Sequence, residues 1–124
     1  MTGLWGFAGS FRAAATGLQF AWRTQPHLRI EAFAAIVAVG VAVWLQTGLV
    51  AVLLASAIVL VAEMVNTAVE ATVDLASPER QPLAAAAKDA AAGAVLVASA
   101  FAVAIGVAAL GPALWGRLAG GGVP

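Results

Sequence analysis

The chain has 124 residues, 63% of them hydrophobic and only 10% charged, with a mean hydropathy of +0.99. Soluble domains carry about 25% charged residues, so this composition excludes an ordinary soluble fold and indicates a membrane protein. Six basic and six acidic side chains cancel, which removes any general pull toward nucleic acid, and the lack of cysteine excludes disulfides, thiolate catalysis and cysteine metal sites.

Leu4, Phe7, Phe11, Leu18 and Trp22 recur at helical spacings, with Ser10, Arg12, Thr16, Gln19 and Arg23 largely between them. This pattern predicts an amphipathic helix over about 4–23 that lies on the membrane surface. Gly9, Ser10 and Arg12 interrupt the apolar residues behind the N-terminus, so no cleavable leader is expected. Pro26 ends the surface helix.

From Ala32 to Ala62 there is no charged residue for 31 positions. As one helix this run would be about 46 Å long, against a hydrocarbon core of about 30 Å. Gln46-Thr47-Gly48 is the turn that divides it, with Trp44 as an interfacial anchor. Each half holds only 14 charge-free residues, which fits either a re-entrant hairpin or two spans completed by polar-flanked ends. Two full spans are the preferred reading, at about 28–46 and 49–75.

Ser77-Pro78-Glu79-Arg80-Gln81-Pro82 reads as a loop, and a third span follows at about 84–111. Its stretch Ala90–Gly111 has 22 charge-free residues, and Pro112 with the Gly120–Gly122 tail is expected to end it. The predicted fold class is therefore all-α and integral to the membrane: a surface helix plus three transmembrane helices in a single domain, 1–124. Arg12, Arg23, Arg29, Arg80 and Lys88 then lie on one side and Arg117 on the other, which places the N-terminus and the 75–88 loop in the cytoplasm.

Glu63, Asn66, Glu70 and Asp74 are the chemistry-bearing residues. At about 100° per residue they fall within roughly 80° of one another on a helix. Ionisable groups at the edge of a hydrocarbon layer are expensive and read as functional. Glu63 lies about 21 Å from the outer end of its helix, the depth at which a lipid keeps its hydroxyl, while Glu70 and Asp74 stand among head groups and water. A desolvated Glu63 is a candidate general base, and Glu70 and Asp74 can hold hard cations through oxygen. Lys88 can present positive charge to a phosphate, with Asp89 beside it to orient it or bind metal. No Walker loop, dinucleotide fingerprint or protein-kinase signature is present, and His27 has no second histidine to join it at a metal. His27 is read as an interfacial polar residue.

The segment Glu63-Met64-Val65-Asn66-Thr67-Ala68-Val69-Glu70-Ala71-Thr72-Val73-Asp74 resembles the signature of the prokaryotic diacylglycerol kinase and undecaprenol kinase family, and Ala87-Lys88-Asp89 is similar to that family's second motif. The resemblance runs from about Ser10 to Gly106. It implies a homotrimeric lipid kinase of the bacterial inner membrane that uses ATP and Mg²⁺, with active sites between subunits near the cytoplasmic face. Glu63 then corresponds to the base that activates the lipid hydroxyl and Glu70 to the principal ligand of the metal bound to ATP. Asn66, Asp74, Lys88 and Asp89 match positions that shape the nucleotide and metal site, and Arg12 matches one that could meet nucleotide. Gln25 departs from the pattern: the family stretch usually begins with a glutamate, a second metal ligand, and Gln25 is a weaker one. Glu31 is a nearby carboxylate that could compensate, although it matches a different position. The loop at 77–83 and the run Gly93-Ala94-Val95-Leu96 look closer to the undecaprenol branch than to the diacylglycerol branch.

A different class of function uses the same residues: a small oligomeric channel or transporter subunit with a cytoplasmic acidic cation site. A pore needs polar groups through most of the membrane depth, and only Ser56 and Ser99 lie deeper than the stripe.

Overall fold

The computed structural model describes residues 4–79 and 81–120, with side chains from Gly6 onward. The side chain of Leu4, the loop residue Arg80 and the end of the glycine tail lie outside the described residues. Four helices follow one another: α1 (Leu4–Thr24), α2 (Pro26–Leu45), α3 (Leu49–Ala76) and α4 (Pro82–Leu118). The last three are each long and apolar enough to cross a membrane, and each half of the charge-free run lies in its own helix.

The joints follow from local chemistry. Gln25 is extended (φ −111°, ψ 102°), as a residue before proline prefers, and Pro26 then occupies the first helical position of α2, where its missing N–H costs nothing. The knee is narrow, because the Gln25 N–H still bonds the Ala21 carbonyl at 2.8 Å. At the far end of α2, Gln46 adopts the left-handed conformation (φ 56°), and the Gln46 and Thr47 N–H groups return to Val43 and Ala42. That is a Schellman ending.

Gly48 follows, also left-handed at φ 70°, packed where α4 passes. A Cβ there would stand 3.0 Å from Leu110 Cδ2 and 3.1 Å from Ala109 Cβ. Gly48→Ala therefore combines a left-handed penalty with a clash against a packed neighbour, and is expected to destabilise the fold by about 2 kcal/mol. Thermal unfolding in detergent measures it; an unchanged midpoint would remove this packing role.

α3 spans about 42 Å and α4 about 55 Å, so both reach beyond the hydrocarbon layer. The third span departs from expectation, running through Pro112 to Leu118 instead of stopping at Pro112. A proline inside a helix frees one carbonyl, but ending the helix in an apolar medium would free several, so continuation is favoured. Arg117 thereby reaches the α2–α3 turn, its guanidinium 5.3 Å from the centre of the Trp44 ring.

The buried apolar core is small, with Ala42, Leu45, Val52 and Leu110 clustered at the turn end of the bundle. Large side chains such as Phe33, Ile36, Leu96 and Phe101 are exposed on the outside of the spans. In water this would be untenable; in a bilayer it is the surface that lipid or another subunit covers. α1 is exposed along most of its length and touches the bundle through Ala21 and the side chains of Leu18 and Trp22 near its end.

Candidate active site at the polar end of the bundle

The buried residues of α3 are Val52, Ala55, Val59, Glu63, Asn66 and Thr67. They recur at helical spacing, so the polar stripe is the continuation of the apolar seam by which α3 packs on its neighbours. Glu63 is 4% exposed and Asn66 8%, whereas the Asp74 side chain is 67% exposed. The stripe is thus graded from a buried carboxylate to a solvated one over about 16 Å of helix.

Two turns past Glu63, at Glu70, the knee residue becomes important. Because Gln25 stands between two helices, its side chain crosses to α3, where Nε2 donates to Glu70 Oε2 at 3.0 Å. Asn66 Nδ2 donates to the other oxygen, Glu70 Oε1, at 3.2 Å. Two amides therefore fix one carboxylate, each of whose oxygens keeps a further lone pair. Asn66 Oδ1 is buried and has no partner among the described residues, which leaves an acceptor oxygen beside Glu70. Buried acceptors are normally satisfied, so an orphan here is an opening for a cation or a donor.

The described residues contain no cluster of three or more His, Asp or Glu that could hold a metal by itself. The donor set available is one carboxylate with amide oxygens, which suits a hard cation that completes its shell from water and substrate phosphates. Glu31 is not brought to Glu70 in this chain. Its side chain lines a groove with Ser56 and Ser99, while Glu70 is occupied by Gln25 and Asn66.

Asp74, one turn beyond Glu70, pairs with Lys88 of α4. Both line a cleft of about 370 Å³ with Ser77, Glu79 and Gln81 of the loop. Asp74, not the adjacent Asp89, thus orients Lys88; Asp89 is exposed, with no side-chain hydrogen bond among the described residues. Consecutive helical residues point about 100° apart, which is why adjacency in sequence misassigned the partner. Arg12 is not brought to this cluster within one chain, lying about 20 Å along α1 from Gln25. Thr67 escaped the sequence reading: it is buried and its hydroxyl bonds the Glu63 carbonyl at 2.9 Å, holding the turn that carries Glu63. A buried threonine four residues after the key carboxylate was the available signal.

The model of the prokaryotic diacylglycerol kinase family matches residues 12–110, most of the chain and every motif described above. The chain belongs to the prokaryotic diacylglycerol kinase family. By family it is a membrane lipid kinase, a transferase of bacterial type. It is 40% identical over 109 residues to the diacylglycerol kinase of Synechocystis sp., covering 85% of this chain and 62% of that protein. It is 38% identical over 99 residues to the diacylglycerol kinase of Escherichia coli K12, covering 75% of this chain and 81% of that one. A shorter match, 56% identical over 45 residues, joins it to the undecaprenol kinase of Bacillus subtilis, covering 36% and 37% of the two chains. Family membership sets aside the channel reading of the acidic stripe.

Proposed function

We propose that the chain is an ATP-dependent lipid kinase that transfers the γ-phosphoryl group of ATP to the hydroxyl of a membrane alcohol, diacylglycerol or undecaprenol, at the cytoplasmic face of the bacterial inner membrane. The observation that carries this reading is the graded burial of one helix face, from Glu63 through Asn66 and Glu70 to Asp74. A lipid acceptor and a water-soluble donor must meet at an interface, and such a gradient presents a different group to each.

Glu63 accepts the proton of the lipid hydroxyl as that oxygen bonds to the γ-phosphorus. The bond from phosphorus to the bridging oxygen breaks, and ADP leaves. Mg²⁺ held by Glu70 and the Asn66 amide oxygen, with the substrate phosphates, would neutralise charge on the transferring group. Lys88 gives one of its three donors to Asp74 and keeps two for a phosphate. Asp89 remains a candidate nucleotide contact at the wet end of α4. Arg12, remote from the cluster in its own chain, would serve the site of a neighbouring copy in a homotrimer, consistent with the apolar faces left uncovered on each span. The basic residues Arg12, Arg23, Arg29 and Lys88 at this end support the cytoplasmic assignment.

The test is phosphate transfer from labelled Mg-ATP by the purified protein in mixed micelles, with diacylglycerol and undecaprenol offered separately. Transfer to neither would sink the kinase reading, and the ratio of the two identifies the preferred acceptor.

Gln25 bears on the metal. Its amide donates to Glu70, so Gln25→Glu would set a second carboxylate against the first and leave the pair short of a cation. The variant is expected to be less stable without metal and to need about tenfold less Mg²⁺ for half-maximal activity. Mg²⁺ titrations of activity and of the unfolding temperature check both. A Mg²⁺ dependence identical to that of the parent would remove Gln25 from the metal site.

A further inference from the structure

At the end of the bundle away from the acidic stripe stands one basic side chain, Arg117. Leu110, Ala113 and Leu114 of α4 pack in the apolar cluster at the α2–α3 turn, and Arg117 is the next residue on that helix face. Leu110 lies level with the turn, because a Cβ on Gly48 would stand 3.0 Å from its Cδ2. The Arg117 backbone is therefore about 10 Å of helix beyond the turn. Its guanidinium nevertheless lies 5.3 Å from the centre of the Trp44 ring, and Trp44 belongs to the last turn of α2. The side chain thus runs back toward the membrane, the direction in which helical side chains lean. A snorkelling arginine would extend the other way, into water. Folded back, Arg117 sets its charge at the depth of an interfacial tryptophan, where phospholipid head groups lie.

That charge has no counter-charge from any described side chain. The six carboxylates, at Glu31, Glu63, Glu70, Asp74, Glu79 and Asp89, all lie toward the other end of the spans. Along α2 the first one met from Trp44 is Glu31, about 20 Å of helix away. Lys88 is paired with Asp74, whereas Arg117 makes no ion pair and no hydrogen bond among the described residues. An aromatic ring attracts a cation through its π-face and accepts none of its ordinary N–H bonds, so the five guanidinium donors stay uncommitted. Trp44, Trp115 and Leu118 are exposed at the same end, which is apolar surface for acyl chains to cover.

We propose that Arg117 and Trp44 form a head-group site for an anionic phospholipid of the leaflet at the turn end. The guanidinium fork takes two oxygens of the lipid phosphate, and the Trp44 ring holds the fork at head-group depth. A phosphodiester of net negative charge supplies the missing counter-charge. A zwitterionic lipid carries its own cation, which competes with Arg117 for the same phosphate, and a soluble phosphate lacks the acyl chains that keep the group at this depth. The bound lipid ties the end of α4 to the α2–α3 turn. This site stands at the opposite end of the spans from Glu63 and Glu70, so it does not depend on the reaction proposed there.

The experiment places the full chain, carrying Trp5→Phe, Trp22→Phe and Trp115→Phe, in phosphatidylcholine vesicles, so that Trp44 alone fluoresces. Brominated phosphatidylglycerol or brominated phosphatidylcholine then replaces part of the lipid, and quenching of Trp44 reports which one sits beside it. Phosphatidylglycerol is expected to be preferred about fivefold, the preference one arginine adds near an anionic surface. Arg117→Gln should bring the ratio close to one, and Arg117→Lys, which keeps the charge and loses the fork, should fall between. Arg117 is exposed near a helix end, so both variants keep the fold, which circular dichroism checks. In a chain that keeps only Trp22, toward the other end, Arg117→Gln should leave quenching unchanged. A preference that survives in Arg117→Gln would belong to the membrane at large and overturn the proposal. Equal quenching by the two lipids before any change at Arg117 would also overturn it, leaving Arg117 an anchor on Trp44 alone. Loss of the preference on adding millimolar inorganic phosphate at constant ionic strength would assign the site to a soluble anion and overturn the lipid.

Discussion

Glu63→Gln is expected to leave the chain folded and inserted and to lower phosphate transfer by about 10²–10⁴-fold, the range a general base contributes. The substitution is nearly isosteric at a position that is 4% exposed, so it opens no cavity. No described side chain hydrogen-bonds the Glu63 carboxylate, so no network collapses with it; the one hydroxyl nearby, that of Thr67, bonds the Glu63 backbone carbonyl, which the substitution keeps. What would be lost is the proposed proton acceptor for the lipid hydroxyl. The loss should fall on kcat, with KM for Mg-ATP unchanged, because the nucleotide end of the stripe begins one turn away at Asn66 and Glu70. Single-turnover kinetics with an unfolding control separate these quantities. Retention of even a tenth of the parent kcat would remove Glu63 as the base.

Much of this site was legible in the sequence because helical geometry is regular. Once Glu63, Asn66, Glu70 and Asp74 are placed on one helix, their shared face follows from the angle per residue. The helices and the turn at Gln46–Gly48 were equally legible, since a 31-residue charge-free run is too long for one crossing. The knee was half legible: Pro26 announced the break, but not that the break frees the Gln25 side chain to reach Glu70 across 45 positions of sequence.

Other features were out of reach for stated physical reasons. The passage of α4 through Pro112 inverts a rule learned from water, where a broken helix can hydrate its ends. The partner of Lys88 depends on the register of α4 against α3, which no local pattern encodes. The groove that Glu31 lines with Ser56 and Ser99 needs three helices to exist at all, so the two serines read in sequence only as stray polarity.

Glu70→Ala should be as damaging as loss of the base, by a different route. Glu70 accepts from both Gln25 and Asn66, so its removal leaves two amide groups without their acceptor and releases the contact that ties the α1–α2 knee to α3. A part-buried amide that loses a carboxylate partner costs about 1–3 kcal/mol, so the unfolding temperature should fall as well. Turnover is expected to drop by at least about 10²-fold, because the anionic anchor of the proposed cation goes with the side chain. The distinguishing readout is Mg²⁺-dependent binding of a fluorescent ATP analogue. Glu63→Gln should keep that binding, since its site faces the lipid, whereas Glu70→Ala should lose it and should not recover at high Mg²⁺. If Glu70→Ala bound nucleotide with the parent's Mg²⁺ dependence, Glu70 would be a structural clamp for the knee, and the metal would have to be sought nearer Asp74 and Asp89. The two variants together thus test whether the burial gradient along α3 is also a division of labour, with lipid chemistry at its dry end and metal and nucleotide at its wet one.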